Sequence, residues 1–352
     1  MENLKIWNYI SFPWLIFTII FFVTFFLIAF LNEVDNSYLS KSYLNVLFFN
    51  TIFLSFGSAI LSALIAVPLA ILVTFYRFPG HKFFSWSLSL SIAFPAYVYA
   101  FIFVGIFEYA SPVSEYLRGF NIMLPSIKNI YGASLVMAMA LFPYIFLLTK
   151  AHLSSVGIKV FKAAKSLGDN NINAIRKVII PSLWPTITAG MALVIFETVA
   201  DFGGVSTLRV ETFTVGIYDA WFGYQSYFSA ARLAGYLLIF VFLIMLIMKY
   251  FGAKSNNLAS KTAEKFQKIE TSTFNKVIMS IICSIIFALV FCLPTSQLII
   301  WYFSDSALNI FTNLQLLINS TFVGVFASCV TVFFAISLAL SFRQLNSLKP
   351  II

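Results

Sequence analysis

The chain has 352 residues, of which 61% are hydrophobic and 10% charged, and its formal net charge is +9. A mean hydropathy of +0.93 excludes a water-soluble globular protein. Apolar runs of about twenty residues, the length that crosses a bilayer, recur along the sequence. Because these runs are continuous and lack the alternation of barrel strands, the sequence predicts an all-α, polytopic transmembrane helical bundle.

About eight apolar runs are predicted to cross the membrane. In chain order they cover residues 9–31, 49–76, 83–107, 131–150, 181–200, 231–251, 277–303 and 321–342. The first run is too long for the apolar part of a signal peptide, and no small-residue cleavage site follows it closely. We therefore interpret it as an uncleaved anchor.

Basic residues predict the orientation of the bundle. With a cytoplasmic amino terminus, most of the 22 Lys and Arg residues lie inside, and those left outside are Lys41, Arg118, Lys128, Arg209 and Arg232. This distribution follows the positive-inside rule, so the amino terminus is predicted to be cytoplasmic. The net charge is then explained by orientation, and a nucleic-acid partner is not indicated.

A polar, basic segment, VFKAAKSLGDNNINAIRKVIIPSLWP, occupies residues 160–185 between the fourth and fifth spans. Ala163 and Ala164 are small enough for close approach on one helical face, and Gly168 can end that helix. A second helix, running to Pro181, can be capped by one of three residues, Asp169, Asn170 or Asn171. The segment predicts a helical elbow along the membrane surface, with a protruding bend that a cytosolic partner can bind.

The spacing of this elbow resembles the cytoplasmic docking loop of type I ABC importer permeases, the inner-membrane subunits of binding-protein-dependent importers. That loop reads E-A-A, three residues, G, nine residues, I-x-L-P. The matching positions are Ala163, Ala164, Gly168, Val178, Ile180 and Pro181. Lys162 stands at the acidic position, and a cation there changes the electrostatics of docking. The alternative interpretation is an ordinary basic juxtamembrane linker.

A second segment, ETVADFGGVSTLRVETFTVGIYDAWFG at residues 197–223, resembles the outer-side segment of ferric-iron permeases within that class. The shared motifs are D-F-G, T-F-T, G-I-Y and A-W-F, at residues 201–203, 212–214, 216–218 and 220–222. The resemblance covers most of the chain from the second to the sixth span.

Glu197 and Asp201 lie four positions apart, so on a continuing helix they share a face near the outer surface. Two carboxylates at a helix end repel each other and oppose the helix dipole, so fold stability does not explain them. Ionisable groups at membrane depth favour a pathway role, and hard cations prefer oxygen ligands. The predicted substrate pathway comprises Glu197, Asp201, Phe202 and Gly203, with no metal site firmly assigned. The alternative is that both carboxylates reach headgroups or pair with Arg209 or Arg232.

Internal similarity predicts the domain organisation. The segment that starts at Asn319 aligns without gaps with the segment that starts at Asn50, so the last two spans resemble the start of a second copy. We expect a first helix and outer loop at 1–48, a permease domain at 49–251 with its docking loop at 150–181, a cytoplasmic linker at 252–276, and an incomplete second repeat at 277–352. Since the resembled family often fuses two complete halves, we expect a truncated chain, which could pair with itself.

The resemblance implies an importer permease in the bacterial inner membrane that moves ferric iron by alternating access. It implies a cytosolic ABC ATPase that binds ATP and Mg²⁺, a periplasmic substrate-binding protein, and surrounding lipid. The sequence contains no G-x-x-x-x-G-K motif, so we expect no enzymatic activity and no cofactor in this chain. Alternatives are a permease for thiamine, a phosphonate or another small solute. A secondary transporter is disfavoured because mid-membrane positions are nearly free of ionisable residues.

Overall fold

The computed structural model describes residues 2–32, 40–168, 170–252, 268–304 and 310–347. Two compact units divide the chain, one formed by residues 1–32 and 301–352 and the other by residues 33–300. Among the described residues, the secondary structure is helical apart from one parallel bridge between Tyr76 and Ile269. Asp169 and most of the predicted linker, residues 253–267, lie outside the described residues.

Fifteen α-helices are present in the described ranges. They are α1 (Glu2–Leu31), α2 (Lys41–Phe75), α3 (His81–Ser87), α4 (Ala96–Phe107), α5 (Pro112–Arg118), α6 (Ile130–His152), α7 (Ile158–Ser166), α8 (Asn171–Ala174), α9 (Ile180–Ala200), α10 (Gly203–Thr207), α11 (Phe213–Tyr218), α12 (Tyr227–Gly252), α13 (Thr273–Phe287), α14 (Leu293–Ser304) and α15 (Ile310–Ser347). Single π-helical turns continue several of them: Leu153–Gly157, Ile175–Ile179, Asp219–Gly223 and Ala288–Cys292.

Seven helical stretches of the described chain are long and apolar enough to cross a membrane. They are Lys41–Phe75, Ala96–Arg118, Ile130–Ser155, Asn171–Ala200, Tyr227–Met248, Thr273–Phe303 and Leu314–Ser337, and a shorter apolar stretch, Ile16–Leu31, ends α1. The predicted all-α transmembrane bundle of about eight spans is confirmed. The predicted domain boundaries stay predictions. In the smaller unit, α1 packs on α15.

The core of the larger unit is the packing of α2, α6 and α9 against one another. Small residues let the helix backbones approach closely, as is usual in membranes, where lipid is as apolar as a leucine side chain. Ala66 on α2 and Ala138 on α6 are fully buried, and the Ser62 hydroxyl donates to the Ala138 carbonyl at 3.3 Å. Phe142 and Phe146, also fully buried, fill the remaining space.

The third predicted span, 83–107, is not one helix. The chain forms α3, then a 3₁₀ turn at Leu90–Ala93, and only then α4. Phe94 is extended at φ −94° and ψ 123°, because a residue that precedes proline is disfavoured in the helical region. Pro95 also lacks an N–H for the helical ladder. Helical hydrogen bonding resumes when the Tyr99 N–H bonds to the Pro95 carbonyl at 3.1 Å.

Replacing Gly190 by alanine tests the close packing of α9 on α6. The new Cβ would lie 3.0 Å from Ile145 Cγ1 and 3.1 Å from Ile145 Cα, so the α6 backbone itself must move. We expect Gly190→Ala to lower the free energy of unfolding by about 1–3 kcal/mol. The measurement is the thermal unfolding midpoint of the purified protein in detergent.

The matched control is Gly324→Ala, a helical glycine on α15 whose added Cβ meets no heavy atom of the described residues within 4 Å. Its unfolding midpoint should stay within error of the wild type or rise, since alanine has the higher helix propensity. Equal losses at both positions would contradict the close packing of α9 on α6.

Candidate functional site

The predicted elbow forms a short helix, a bend and a second capped helix. α7 ends where the Gly168 N–H bonds to the Lys165 carbonyl at 3.1 Å, and Gly168 has a φ of +94°, a conformation that glycine adopts without strain. The Asn170 side chain then accepts a bond from the Asn173 N–H at 2.7 Å and caps α8. Glycine and asparagine therefore fold the elbow locally, as their positions in the sequence predict.

Ala163 and Ala164 face different sides of α7, which corrects the expectation that they share one face. Consecutive residues of a helix point about 100° apart, because a full turn takes 3.6 residues. Ala164 is buried together with Phe161, whose ring contacts the Phe75 ring of α2 at a centroid distance of 5.1 Å. Ala163 and Lys162 are exposed. One side of α7 thus anchors the elbow to the bundle, and the other faces outward.

Two large apolar side chains are exposed at the bend and are absent from the predicted docking residues. Leu167 is 88% exposed and Ile172 is 71% exposed, on either side of Gly168. Leu167 and Ile172 therefore form an exposed apolar tip on an elbow that is otherwise rich in basic residues. The signal in the sequence was the presence of two isolated aliphatic residues beside a helix stop and a helix cap.

The second half of the elbow does not end at Pro181, which corrects another expectation. Residues 171–200 form one continuous helical path, with a π-helical turn at Ile175–Ile179. The wider π turn ends with the Ile180 N–H bonded to the Ile175 carbonyl, and Pro181 follows at the first turn of α9, where a missing N–H is tolerated. Val178 is half-buried, and Ile180 and Pro181 are exposed.

At the opposite end of α9, Glu197 and Asp201 flank the end of the helix. α9 stops at Ala200, and Asp201 is extended with ψ 128°, so the two residues are not on one continuing helix as expected. The Asp201 carboxylate accepts a bond from the Val205 N–H at 3.0 Å, while the Tyr144 hydroxyl donates to Glu197 Oε1 at 3.4 Å. Among the described residues neither carboxylate forms an ion pair, so the expected alternative of a pair with Arg209 or Arg232 is not observed.

Burial raises the pKa of Asp201 above its ordinary value. The N–H groups of Val205 and Gly204 oppose this shift by stabilising the carboxylate, and the negative charge of Glu197 adds to it. Asp201 is therefore held by backbone donors in a place where its negative charge is poorly solvated. A cation near Asp201 would stabilise its buried negative charge and offset the repulsion from Glu197.

Both carboxylates line a cavity of about 310 Å³ against the break in the third span. Tyr97 and Tyr144 contribute phenol groups, and among the described residues that line the cavity none is basic. The other lining residues are Ile92, Phe94, Pro95, Ala96, Ala140, Leu141 and Ala200. The break at Phe94 and Pro95 thus borders a cavity that contains polar side chains. Irregular backbone at membrane depth is tolerated where protein or a water-filled cavity covers it.

Phe202 and Gly203, the other predicted pathway residues, support the cavity without lining it. The Phe202 ring stacks on the Tyr218 ring at 4.5 Å. A Cβ on Gly203 would lie 2.8 Å from Tyr97 Cβ, so only glycine lets α10 approach the start of α4 this closely. The outer segment is also tied to α2, because the Phe213 N–H donates to the Thr51 hydroxyl at 3.1 Å.

The polar groups of this largely apolar cavity are oxygen groups, but they do not form a closed metal site. Among the described residues no three His, Cys, Asp or Glu side chains are grouped closely enough to hold a metal ion. Two carboxylates and two phenols in one cavity would suit transient contact with a hard cation.

Comparison with protein-family models matches residues 66–257 to the "Binding-protein-dependent transport system inner membrane component" family. The chain belongs to this family. The matched range contains both the elbow and the outer segment with its two carboxylates. The protein is accordingly a multi-pass protein of the bacterial inner membrane.

Two curated relatives carry different substrates in their names. The sulfate transport system permease protein CysT of Salmonella typhimurium is 26% identical over 151 residues, covering 43% of this chain and 54% of the relative. The Fe(3+)-transport system permease protein FbpB 2 of Haemophilus influenzae is 25% identical over 242 residues, covering 68% and 44%. The chain spans about half the length of the curated relatives it matches.

A solved structure shares the fold of this permease-family chain. It belongs to a bacterial ABC transporter involved in the import of the acidic polysaccharide alginate, with a TM-score of 0.51 and 15% identity. The match covers 71% of this chain and 99% of that one. At this identity the comparison supports the fold, and the predicted ABC permease fold is confirmed.

Replacing Gly168 by alanine tests the bend of the elbow. No heavy atom of the described residues lies within 4 Å of the added Cβ, so the expected effect comes from the backbone alone at φ +94°. We expect Gly168→Ala to destabilise the bend by about 1–2 kcal/mol. Hydrogen exchange should then be faster for the amides of α7 and α8, with the rest of the chain unchanged.

The control is Gly223→Ala, which also meets open space but has no positive φ. Exchange in α7 and α8 should match the wild type in this variant. If Gly168→Ala also left the exchange of both helices unchanged, the left-handed bend would not define the elbow.

Proposed function

We propose that this chain is the permease subunit of an ATP-driven importer, with the elbow docked into a groove of a separate cytosolic ABC ATPase. Family membership supports this proposal, and so does the exposure of Leu167 and Ile172 at the tip. Large exposed apolar side chains beside a polar rim are typical of interaction sites. Nucleotide binding and hydrolysis belong to that partner, and a periplasmic binding protein delivers the substrate.

The charge around the tip complements an acidic groove. Lys162, Lys165, Arg176 and Lys177 are all exposed on the elbow. Lys162 stands at the position that is acidic in the docking-loop pattern. The elbow therefore carries a positive charge where the pattern has a negative one. The ATPase partner of this chain should therefore carry acidic residues at the rim of its groove.

A continuous helix connects the elbow to the cavity. Residues 171–200 run without interruption from the capped end of α8 to the last turn of α9, where Glu197 lies. Phe161 couples the other arm of the elbow to α2 through the Phe75 ring. A displacement of the tip by the ATPase would tilt α9 and α2 together and change the access to the cavity at the far end of α9, as alternating access requires.

Ferric iron is the substrate that we propose, with transport through the cavity of Glu197 and Asp201. The observation behind this choice is the charge of the lining, which has two carboxylates and two phenols and, among the described residues, no basic group. Such a lining attracts a hard cation and repels sulfate or a phosphonate. The iron permease relative supports the same choice, while the sulfate permease relative makes sulfate the competing substrate. Thiamine, an organic cation, is compatible with the charge alone.

The doubly substituted variant Leu167→Asp with Ile172→Asp tests the docking tip. Burying a large apolar side chain stabilises a contact by about 1.5–3 kcal/mol, so the charged replacements should weaken ATPase binding by more than about a hundredfold. The measurement is co-purification of the ATPase with the tagged permease from membranes, followed by titration of the binding. The unfolding midpoint should not change, because both side chains are exposed.

The control for this experiment is Met123→Asp, at an 81% exposed position in the outer connection between α5 and α6. This variant should retain the ATPase. Full retention of the ATPase by the tip variant would exclude the docking role of these two residues.

Glu197→Gln and Asp201→Asn test the substrate. Both replacements keep the shape and remove one negative charge, and the amide oxygen introduced by Asp201→Asn can still accept from the Val205 N–H. We expect iron uptake into proteoliposomes containing the full transporter to fall about tenfold or more for each variant, since hydrogen bonds and contacts to charged groups are worth about 1.5–3 kcal/mol. Co-purification of the ATPase should be unchanged.

The matched control is Glu211→Gln, an exposed carboxylate of the same outer segment that does not line the cavity. It should transport iron at the wild-type rate. Uptake of sulfate, with no iron uptake, by the wild-type transporter would overturn the assignment of iron, and the docking experiment would still stand.

A further inference from the structure

Three lysines from three separate parts of the chain lie at the predicted cytoplasmic end of the bundle, where α2 ends and α3 begins. Lys82 belongs to α3, Lys150 to the last turn of α6, and Lys268 to the segment that precedes α13. The Lys150 ammonium donates to the Ser85 carbonyl of α3, and the Lys268 ammonium donates to the Val73 carbonyl of α2 at 2.7 Å. These two bonds connect α6 to α3, and the segment before α13 to the C-terminal end of α2.

The position of Lys268 is fixed by backbone pairing. The Ile269 N–H donates to the Phe75 carbonyl at 2.8 Å, and the Arg77 N–H donates to the Ile269 carbonyl at 3.1 Å. This short parallel pairing is the bridge between Tyr76 and Ile269. Lys268 is therefore held next to the end of α2 by main-chain hydrogen bonds and does not depend on its own side chain for its location.

No carboxylate of the described residues neutralises these three lysines. The nearest acidic residue along the chain, Glu270, pairs with Arg77 at 3.3 Å and with Lys276. Each ammonium has three donors, and Lys150 and Lys268 each use one on a carbonyl, which carries no charge. Lys82 is exposed and has no hydrogen-bond partner among the described residues. Several N–H donors and three positive charges remain for an external anion.

The charges are close enough to act on one another. Burial lowers the pKa of Lys268, and the positive charges of Lys150 and Lys82 lower it further. The pKa of His81, beside Lys82, is lowered first by burial and then also by Lys268, Lys82 and Arg77, against the opposing effect of its bond to the Phe78 carbonyl. This mutual repulsion would be relieved by a bound anion.

Exposed aromatic side chains on α3 lie near Lys82. Phe83 is 42% exposed and Trp86 is 55% exposed, and their rings meet edge to face at 5.4 Å. The Phe83 ring also contacts Phe287 of α13 at 5.2 Å. Tryptophan is enriched at the depth where lipid headgroups meet acyl chains, and lysine side chains near helix ends reach the same depth. A ligand with a phosphate and a hydrocarbon tail matches both parts of this surface, whereas a soluble anion or an acidic protein loop would leave the aromatic side chains uncovered.

We propose that Lys82, Lys150 and Lys268 form a binding site for the headgroup phosphate of an anionic phospholipid of the inner leaflet, with Phe83 and Trp86 against its acyl chains. The headgroup joins α3, α6 and the segment before α13 at one point. It thereby stabilises the pairing of Ile269 with the end of α2, next to Phe75, which contacts the elbow through Phe161. This inference does not depend on the substrate or on the proposed import activity.

Native mass spectrometry of the purified chain, titrated with phosphatidylglycerol, tests the site. A lysine near an anionic lipid contributes a factor of about five in affinity, so Lys82→Gln should bind the tightest phosphatidylglycerol about fivefold more weakly, and Lys82→Gln with Lys268→Gln about twentyfold. Lys82→Arg should keep the wild-type affinity. Lys41→Gln, an exposed lysine at the opposite end of α2, is the matched control and should also bind like the wild type.

The source of the phosphate is distinguished by two further titrations. Phosphatidylcholine, which has no net charge, should bind weakly and equally to all variants, and millimolar inorganic phosphate should not displace phosphatidylglycerol. Displacement by inorganic phosphate would overturn the assignment to a lipid, and unchanged phosphatidylglycerol affinity in the double variant would overturn the site itself.

A second measurement covers the possibility that the double variant folds poorly. Brominated phosphatidylglycerol in the membrane should quench the fluorescence of Trp86, read as the difference between the wild type and Trp86→Phe, and Lys82→Gln should reduce this quenching. Lys82 is exposed without a described partner, so Lys82→Gln is expected to fold normally. Equal quenching by brominated phosphatidylcholine and phosphatidylglycerol in the wild type would contradict a site that selects an anionic headgroup.

Discussion

Backbone N–H and C=O groups that enter hydrocarbon must be hydrogen-bonded within the protein, and the rest of this structure depends on that constraint. It makes every described span a helix and confines irregular backbone to places where protein or water can cover it. The break between Leu90 and Pro95 is such a place. Its polar groups border the cavity that holds Glu197 and Asp201, so the same constraint that forms the bundle also locates the candidate pathway.

Close packing of small residues turns these helices into a unit that can transmit movement. Gly190 on α9 lies against the α6 backbone at Ile145, and Ser62 on α2 bonds to α6 at Ala138. Protein interiors of this density resist compression, so adjacent helices move together when one of them is displaced. The elbow lies at one end of the helical path of residues 171–200 and the carboxylates at the other, which gives the proposed coupling a direct physical route.

Charge is distributed unevenly along the same axis. Lysines and arginines collect at the predicted cytoplasmic ends, around the elbow tip and at the proposed headgroup site. The lining of the cavity, in contrast, includes two carboxylates and two phenols and, among the described residues, no basic group. The basic residues that predict the orientation of the chain are thus also the residues on which both proposed binding sites depend. At the elbow they lie near an apolar tip, and Lys82, Lys150 and Lys268 form no ion pair with a carboxylate of the described residues.

Much of the fold follows from properties that are local in the sequence. Hydrocarbon thickness and hydropathy define the spans, because a helix of about twenty apolar residues satisfies the membrane by itself. Gly168 and Asn170 define the bend of the elbow, since one tolerates a positive φ and the other caps the next helix with its own side chain. The spacing of Ala163, Ala164, Gly168 and Pro181 predicted the family, and the family match over residues 66–257 confirms it.

Tertiary structure decided what the local pattern could not. Pro68 and Pro143 lie inside continuous helices while Pro95 ends a break, so proline chemistry alone does not determine which span is interrupted. Ala164 is buried and Ala163 is not, because a neighbouring helix covers only one face of α7. The contact of Tyr144 with Glu197 joins residues that are far apart in the chain. The same holds for the grouping of Lys82, Lys150 and Lys268. The sequence by itself determined the class, most of the spans and the bend of the elbow, because these rest on interactions within a few residues. The partners of each side chain were decided only by packing, because the energy of a contact depends on what the folded chain brings beside it.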